Sequence, residues 1–145
     1  MINSDVMTWQ SWAFLSAVFA ALTAIFAKIG VSDINSDMAT LIRTVIILCV
    51  LALFVLATGQ WQEFSGITSR TWLFLTLSAL ATGASWVCYF RALKIGDAAR
   101  VAPIDKLSIV LVAVFGALIL GERLSATNWL GVGLCTAGIV LVAMR

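Results

Sequence analysis

Five long apolar stretches, parted by short polar connections, run through the chain. About 20 apolar residues suffice to cross a hydrocarbon core roughly 30 Å thick, and such stretches lie at 9–30, 38–57, 71–92, 99–120 and 127–144. The connections carry helix-start chemistry: Ser36-Asp37 before the second stretch, Thr68-Ser69 before the third, Asp97 before the fourth and Ser125 before the fifth. The pattern predicts an all-α membrane protein, a bundle of five transmembrane helices forming one domain over residues 1–145. Loops this tight leave no room for a soluble domain.

Two spans read as architectural. The first has a small-residue face, Ala13, Ser16, Ala20, Thr23, Ala24 and Ala27, and the fifth carries Gly131, Gly133, Ala137 and Gly138. Such faces let helices approach closely, within one chain or between subunits. Pro103 falls at or just beyond the first turn of the fourth span. It either starts that helix or kinks it and frees a carbonyl near Asp105. Trp9, Trp12, Trp61, Trp72 and Trp129 lie near span ends on one side, as an aromatic belt does.

Composition narrows the function. Of 145 residues 62% are hydrophobic and 11% charged, far more apolar than a soluble domain. A net charge of +2 is too small to imply nucleic acid as a partner. There is no histidine, and Cys49, Cys88 and Cys135 stand 39 and 47 residues apart, which offers no metal site. The cysteines read as small packing residues. No nucleophile with its base and no phosphate-binding glycine loop is present, so neither an enzyme nor a cofactor is expected. The first eight residues carry Asp5 and no Lys or Arg, unlike a secretory leader, so the first stretch counts as a real span.

An odd number of spans puts the termini on opposite sides of a cell membrane. The N-terminal side holds Arg70 and Arg123, the other Lys28, Arg91, Lys94, Arg100 and Arg145. Five basic residues against two predict the N-terminus outside and the C-terminus cytoplasmic, in the inner or plasma membrane.

Three charges lie inside the spans. Arg43 is about five residues into the second, and Asp105-Lys106 about seven into the fourth, roughly 7 and 10 Å below the helix ends at 1.5 Å per residue. Each costs up to about 3 kcal/mol at the bilayer centre, and such residues face the bundle interior and pair. An Arg43–Asp105 ion pair is the natural expectation. Asp105 and Lys106 are about 100° apart on a helix and point different ways, which leaves Lys106 to snorkel toward the headgroups. The charges then either lock helices together or place Asp105 on a substrate or proton path.

Ser78, Thr82, Ser85 and Tyr89 recur at i, i+4, i+7 and i+11 of the third span, on one helix face. A hydroxyl stripe lines a wet cavity or a hydrogen-bonded helix contact, and Trp86 beside it offers an aromatic wall or plain packing. Tyr89 lies at the cytoplasmic end with Arg43, Asp105 and Lys106, which suggests a polar cavity among the second, third and fourth helices.

From Tyr89 to Pro103 the chain reads YFRALKIGDAARVAP; a long apolar helix follows, then Leu120-Gly121-Glu122-Arg123-Leu124 and Trp129-Leu130-Gly131. This order of motifs, with a basic residue early in the second span, resembles the EamA-type repeat of the drug/metabolite transporter superfamily, in its short five-span bacterial and archaeal form. The resemblance implies a secondary-active transporter, most often an exporter of small metabolites, working by alternating access. Most members carry two inverted five-span repeats, so this chain corresponds to one half of an inverted-repeat fold. The binding site of such a fold lies between halves. A partner is therefore implied: a second copy, antiparallel or parallel, or a homologous five-helix subunit. A faint internal echo joins Lys28-Ile29-Gly30 to Lys94-Ile95-Gly96.

Three functions compete. In the first, Asp105 exchanges a proton or ion for a cationic or zwitterionic substrate, oriented by Ser85 and Tyr89, with Arg43 tuning the carboxylate and Trp86, Thr82 and Lys106 completing the site. In the second, the chain is a non-transporting scaffold or accessory subunit. In the third, it is a lipid-linked carrier translocase gripping a phosphate with Arg43, Lys106 and Arg91.

Overall fold

The computed structural model describes residues 8–144. Among them are six helices and no strand: α1 (Trp9–Gly30), α2 (Ser36–Ala57), α3 (Ser69–Ile95), α4 (Ala98–Asp105), α5 (Ser108–Ile119) and α6 (Ala126–Ala143), with a 3₁₀ turn at Phe64–Gly66. Five segments are long and apolar enough to span a membrane, α4 and α5 together forming the fourth, Ala98–Ile119. The first has the bounds its pattern predicts, and α3 is longer at both ends. Asp5 and Arg145 lie outside the described residues.

Helix ends follow local chemistry. The cap of α2 is Asn35 rather than Ser36 or Asp37: its carboxamide oxygen accepts from the backbone N–H of Asp37 at 2.8 Å and of Met38 at 3.3 Å. Thr68 and Ser125 cap α3 and α6 as the pattern implies, accepting from the N–H of Thr71 at 3.3 Å and of Asn128 at 3.2 Å. Asp97 precedes α4 but makes no side-chain cap bond. At the end of α2, Gly59 takes φ +66°, and the N–H groups of Gly59 and Gln60 reach the carbonyls of Leu56 and Val55 at 3.2 and 3.1 Å. This closure needs a left-handed residue, and glycine supplies it without a Cβ clash.

The chain divides into two compact units, Phe26–Lys94 and the described part of Met1–Ile25 with Ile95–Arg145. In the first, Ala27, Val31, Ala39, Thr40, Phe90 and Leu93 are buried. Polar ties surround this small core. Lys28 Nζ donates to the Leu93 carbonyl at 2.7 Å, and Lys94 Nζ donates to the carbonyls of Val31, Ser32 and Ile34 at 2.8, 2.6 and 3.0 Å. Cations there satisfy carbonyls that a helix end leaves without partners. Arg91 grips Asp37 in a fork, Nε to Oδ1 at 2.9 Å and Nη2 to Oδ2 at 2.8 Å, tying the end of α3 to the start of α2.

In the second unit α6 packs against both α4 and α5, and Arg100 Nη2 donates to the Ala143 carbonyl at 3.2 Å. Pro103 lies inside α4 rather than at its start. Lacking an N–H, it leaves the Ala99 carbonyl without its helical donor, and α4 stops two residues later. The chain then turns through tighter i to i−3 bonds, Lys106 to Pro103 and Leu107 to Ile104, both 3.0 Å. After α5, Gly121 at φ +70° folds the chain back so that the Glu122 N–H meets the Gly116 carbonyl at 3.0 Å. A Cβ on Gly116 would stand 2.8 Å from Glu122 Oε2.

Elsewhere large apolar side chains face outward, among them Phe14, Leu48, Phe54, Leu80 and Leu141, which suits a lipid surround. The three cysteines, expected as packing residues, are exposed instead. So small a core leaves most positions of each helix on its outer surface.

Candidate functional site

Each unit holds in-span charges of its own. In Phe26–Lys94, Arg43 stands seven residues after the start of α2. Its guanidinium carbon lies 4.3 Å from the centroid of the Trp86 ring and 5.6 Å from that of Phe90. Trp86 and Phe90 share a face of α3 because they are one turn apart, and together they make the floor on which the cation rests. Trp86 thus lies against Arg43 within this unit. Tyr89 is half-buried, its ring meeting that of Phe90 edge-on at 6.4 Å.

The hydroxyl stripe divides. Tyr89 joins the Arg43 cluster, whereas Ser78, Thr82 and Ser85 are exposed. Thr82 Oγ1 donates to the Ser78 carbonyl of its own helix at 2.9 Å, which satisfies the hydroxyl locally. Within the unit the three present a polar strip on an apolar helix.

In the other unit, Asp105 and Lys106 sit where the fourth span breaks. A 100° separation between neighbouring side chains holds only along a continuous helix. Because α4 ends at Asp105, Lys106 takes the cap position and its Nζ reaches Asp105 Oδ2 at 3.3 Å. The two side chains form an ion pair with 38% and 52% of their surfaces exposed, so Lys106 neutralises its neighbour rather than reaching away from it.

The pattern reading missed the Asp37–Arg91 fork and the lysine ties. Signals for both exist: an acid in the first turn of one span and a base in the last turn of another meet on one side of the membrane by alternation. Among the described residues no group of three or more Cys, His, Asp or Glu is placed to hold a metal ion.

Residues 7–144 match the EamA-like transporter family. A protein of Sinorhizobium sp named "Uncharacterized transporter in cobO 3'region" is 70% identical over 137 residues, covering 94% of this chain and 97% of that relative. A Hamiltonella defensa protein named "Probable 4-amino-4-deoxy-L-arabinose-phosphoundecaprenol flippase subunit ArnE" is 27% identical over 86 residues, 59% of this chain and 76% of its own length. No solved structure matches the chain.

Proposed function

The chain belongs to the EamA-like transporter family, and from that premise we propose that it is one half of a secondary-active exporter of a small charged metabolite. It pairs with a second five-helix subunit, either another copy or a homologue, and alternates access with Asp105 as the ion-coupling carboxylate. One observation carries this reading. Asp105 is the one carboxylate of the described residues more than a turn inside a span, and that span breaks immediately after it. Irregular backbone at membrane depth is tolerated where it is buried in protein or lines water, and broken helices mark the ion and substrate sites of transporters. The exposed strip Ser78, Thr82 and Ser85 and the open small face of Gly133 and Ala137 on α6 supply surfaces for a partner.

The test is proton flux in proteoliposomes holding a pH dye, screened against a metabolite library. Some compounds are expected to evoke proton movement through the natural protein and none through Asp105→Asn, with the variant still folded. Equal flux in both would remove Asp105 from the coupling step.

A second reading follows from the relative named as a flippase subunit: the cargo is a lipid-linked phosphate and the partner a different subunit. Of the three cations proposed to grip such a phosphate, Arg91 is held by Asp37 and Lys106 by Asp105. The weight of that reading falls on Arg43.

A further inference from the structure

We propose that Arg43, laid on Trp86 and Phe90, is the recognition point for an oxyanion, the phosphate or carboxylate end of an amphipathic compound. A guanidinium ion is costly inside a span and is kept there for a partner. The aromatic rings lie 4.3 and 5.6 Å from its central carbon, and a ring offers no oxygen to the N–H donors along the guanidinium edge. Those five donors form a planar fork that matches a phosphate or carboxylate held edge-on.

The unit's own acids do not fill that edge. It contains three carboxylates, and each is engaged elsewhere: Asp33 accepts from Ser32 Oγ at 2.9 Å, Asp37 holds Arg91, and Glu63 accepts from Ser65 Oγ at 3.4 Å. The unit's other cations differ from Arg43. Lys28 and Lys94 sit on backbone carbonyls, Arg91 on a carboxylate, and Arg70 lies 5.9 Å from the Phe74 ring at the opposite end of α3. Arg43 alone combines depth in a span, an aromatic floor and no carboxylate within its unit. A purely cationic ligand does not suit such a site; an anionic or zwitterionic one does.

The inference rests on the exporter reading only in taking the bound compound to be the cargo, and binding is therefore measured apart from transport. The full chain is placed in phosphatidylcholine nanodiscs and its melting followed with octyl phosphate, octanoate, inorganic phosphate and, as the opposite charge, octyltrimethylammonium. Octyl phosphate or octanoate is expected to raise the melting temperature and octyltrimethylammonium to leave it unchanged. Arg43→Gln abolishes the rise, and Arg43→Lys, which keeps the charge but loses the fork, weakens binding about tenfold. Nanodiscs containing phosphatidic acid separate the two sources of oxyanion. Protection by phosphatidic acid that octyl phosphate competes away assigns a lipid headgroup, whereas a response to octyl phosphate that phosphatidic acid leaves intact assigns a free compound.

The proposal is overturned if no anion stabilises the protein, if Arg43→Gln responds like the natural chain, or if the cation stabilises equally. Should Arg43→Gln lose its helicity, Arg43→Lys and Trp86→Ala decide, and undiminished affinity in both overturns the site. Anion binding that depends on Arg43 in a protein without proton flux keeps the site and removes the exporter reading; flux with cations alone and no anion binding does the reverse.

Discussion

At Arg43 the membrane sets the terms. A charge there costs up to about 3 kcal/mol at full depth, and a cation over an aromatic face recovers about 2 kcal/mol where water is excluded. The stacking over Trp86 at 4.3 Å is thus of the right size to let the residue persist. A double-mutant cycle measures it. Trp86→Ala is expected to lower stability in detergent by about 1–2 kcal/mol more in the natural background than in Arg43→Met; equal losses in the two backgrounds would mean that the indole only fills space. The depth of Arg43 was legible in the sequence, because an arginine in an apolar run stands out. Its floor was not, since the register between two helices decides which aromatic lies beneath it, and periodicity within one helix carries no register. The Asp105–Lys106 pair was not legible for a related reason: a rule for side-chain direction holds only while the helix continues, and α4 ends at Asp105.

On the scale of elements, the five spans were legible because a 20-residue apolar window has few other uses. The break in the fourth was half legible. Pro103 pointed to a start or a kink, and only the position of α4, beginning at Ala98, decides between them. A proline inside a helix costs about 3 kcal/mol relative to alanine, so a chain that keeps one there gains something else from the break. Pro103→Ala restores the N–H that the Ala99 carbonyl lacks and allows α4 and α5 to run on as one helix. The expected outcome is a higher melting temperature together with slower proton-coupled flux, measured on the same preparation. A more stable variant with undiminished flux would make the break a packing feature and move the coupling step away from it. The reciprocal lysines give the Lys-Ile-Gly echo a physical meaning. Each lysine lies in the last turn of its helix and reaches carbonyls at the end of the other, so the repeated tripeptide serves one junction from both sides.

At the scale of the molecule, the same residues bear on topology. Four of the five basic residues that favour a cytoplasmic C-terminus have local partners: Lys28, Lys94 and Arg100 on carbonyls and Arg91 on Asp37. These contacts explain why the residues sit where they do, yet they leave the cations charged, and acidic partners count for little in orienting a chain during insertion. The bias therefore still acts, and a single orientation with the N-terminus outside is expected. Single cysteines placed at either end of a cysteine-free version, and probed with a membrane-impermeant maleimide, test this: the N-terminal cysteine is labelled from outside and the C-terminal one only after lysis. An inverted-repeat transporter needs a half of each hand. If one orientation is found, two copies of this chain cannot supply both, and the inverted half must come from a homologous subunit or the pair must be parallel. Labelling of both ends from outside would mean instead that the bias is too weak to fix insertion, and that one chain builds both halves of an antiparallel homodimer.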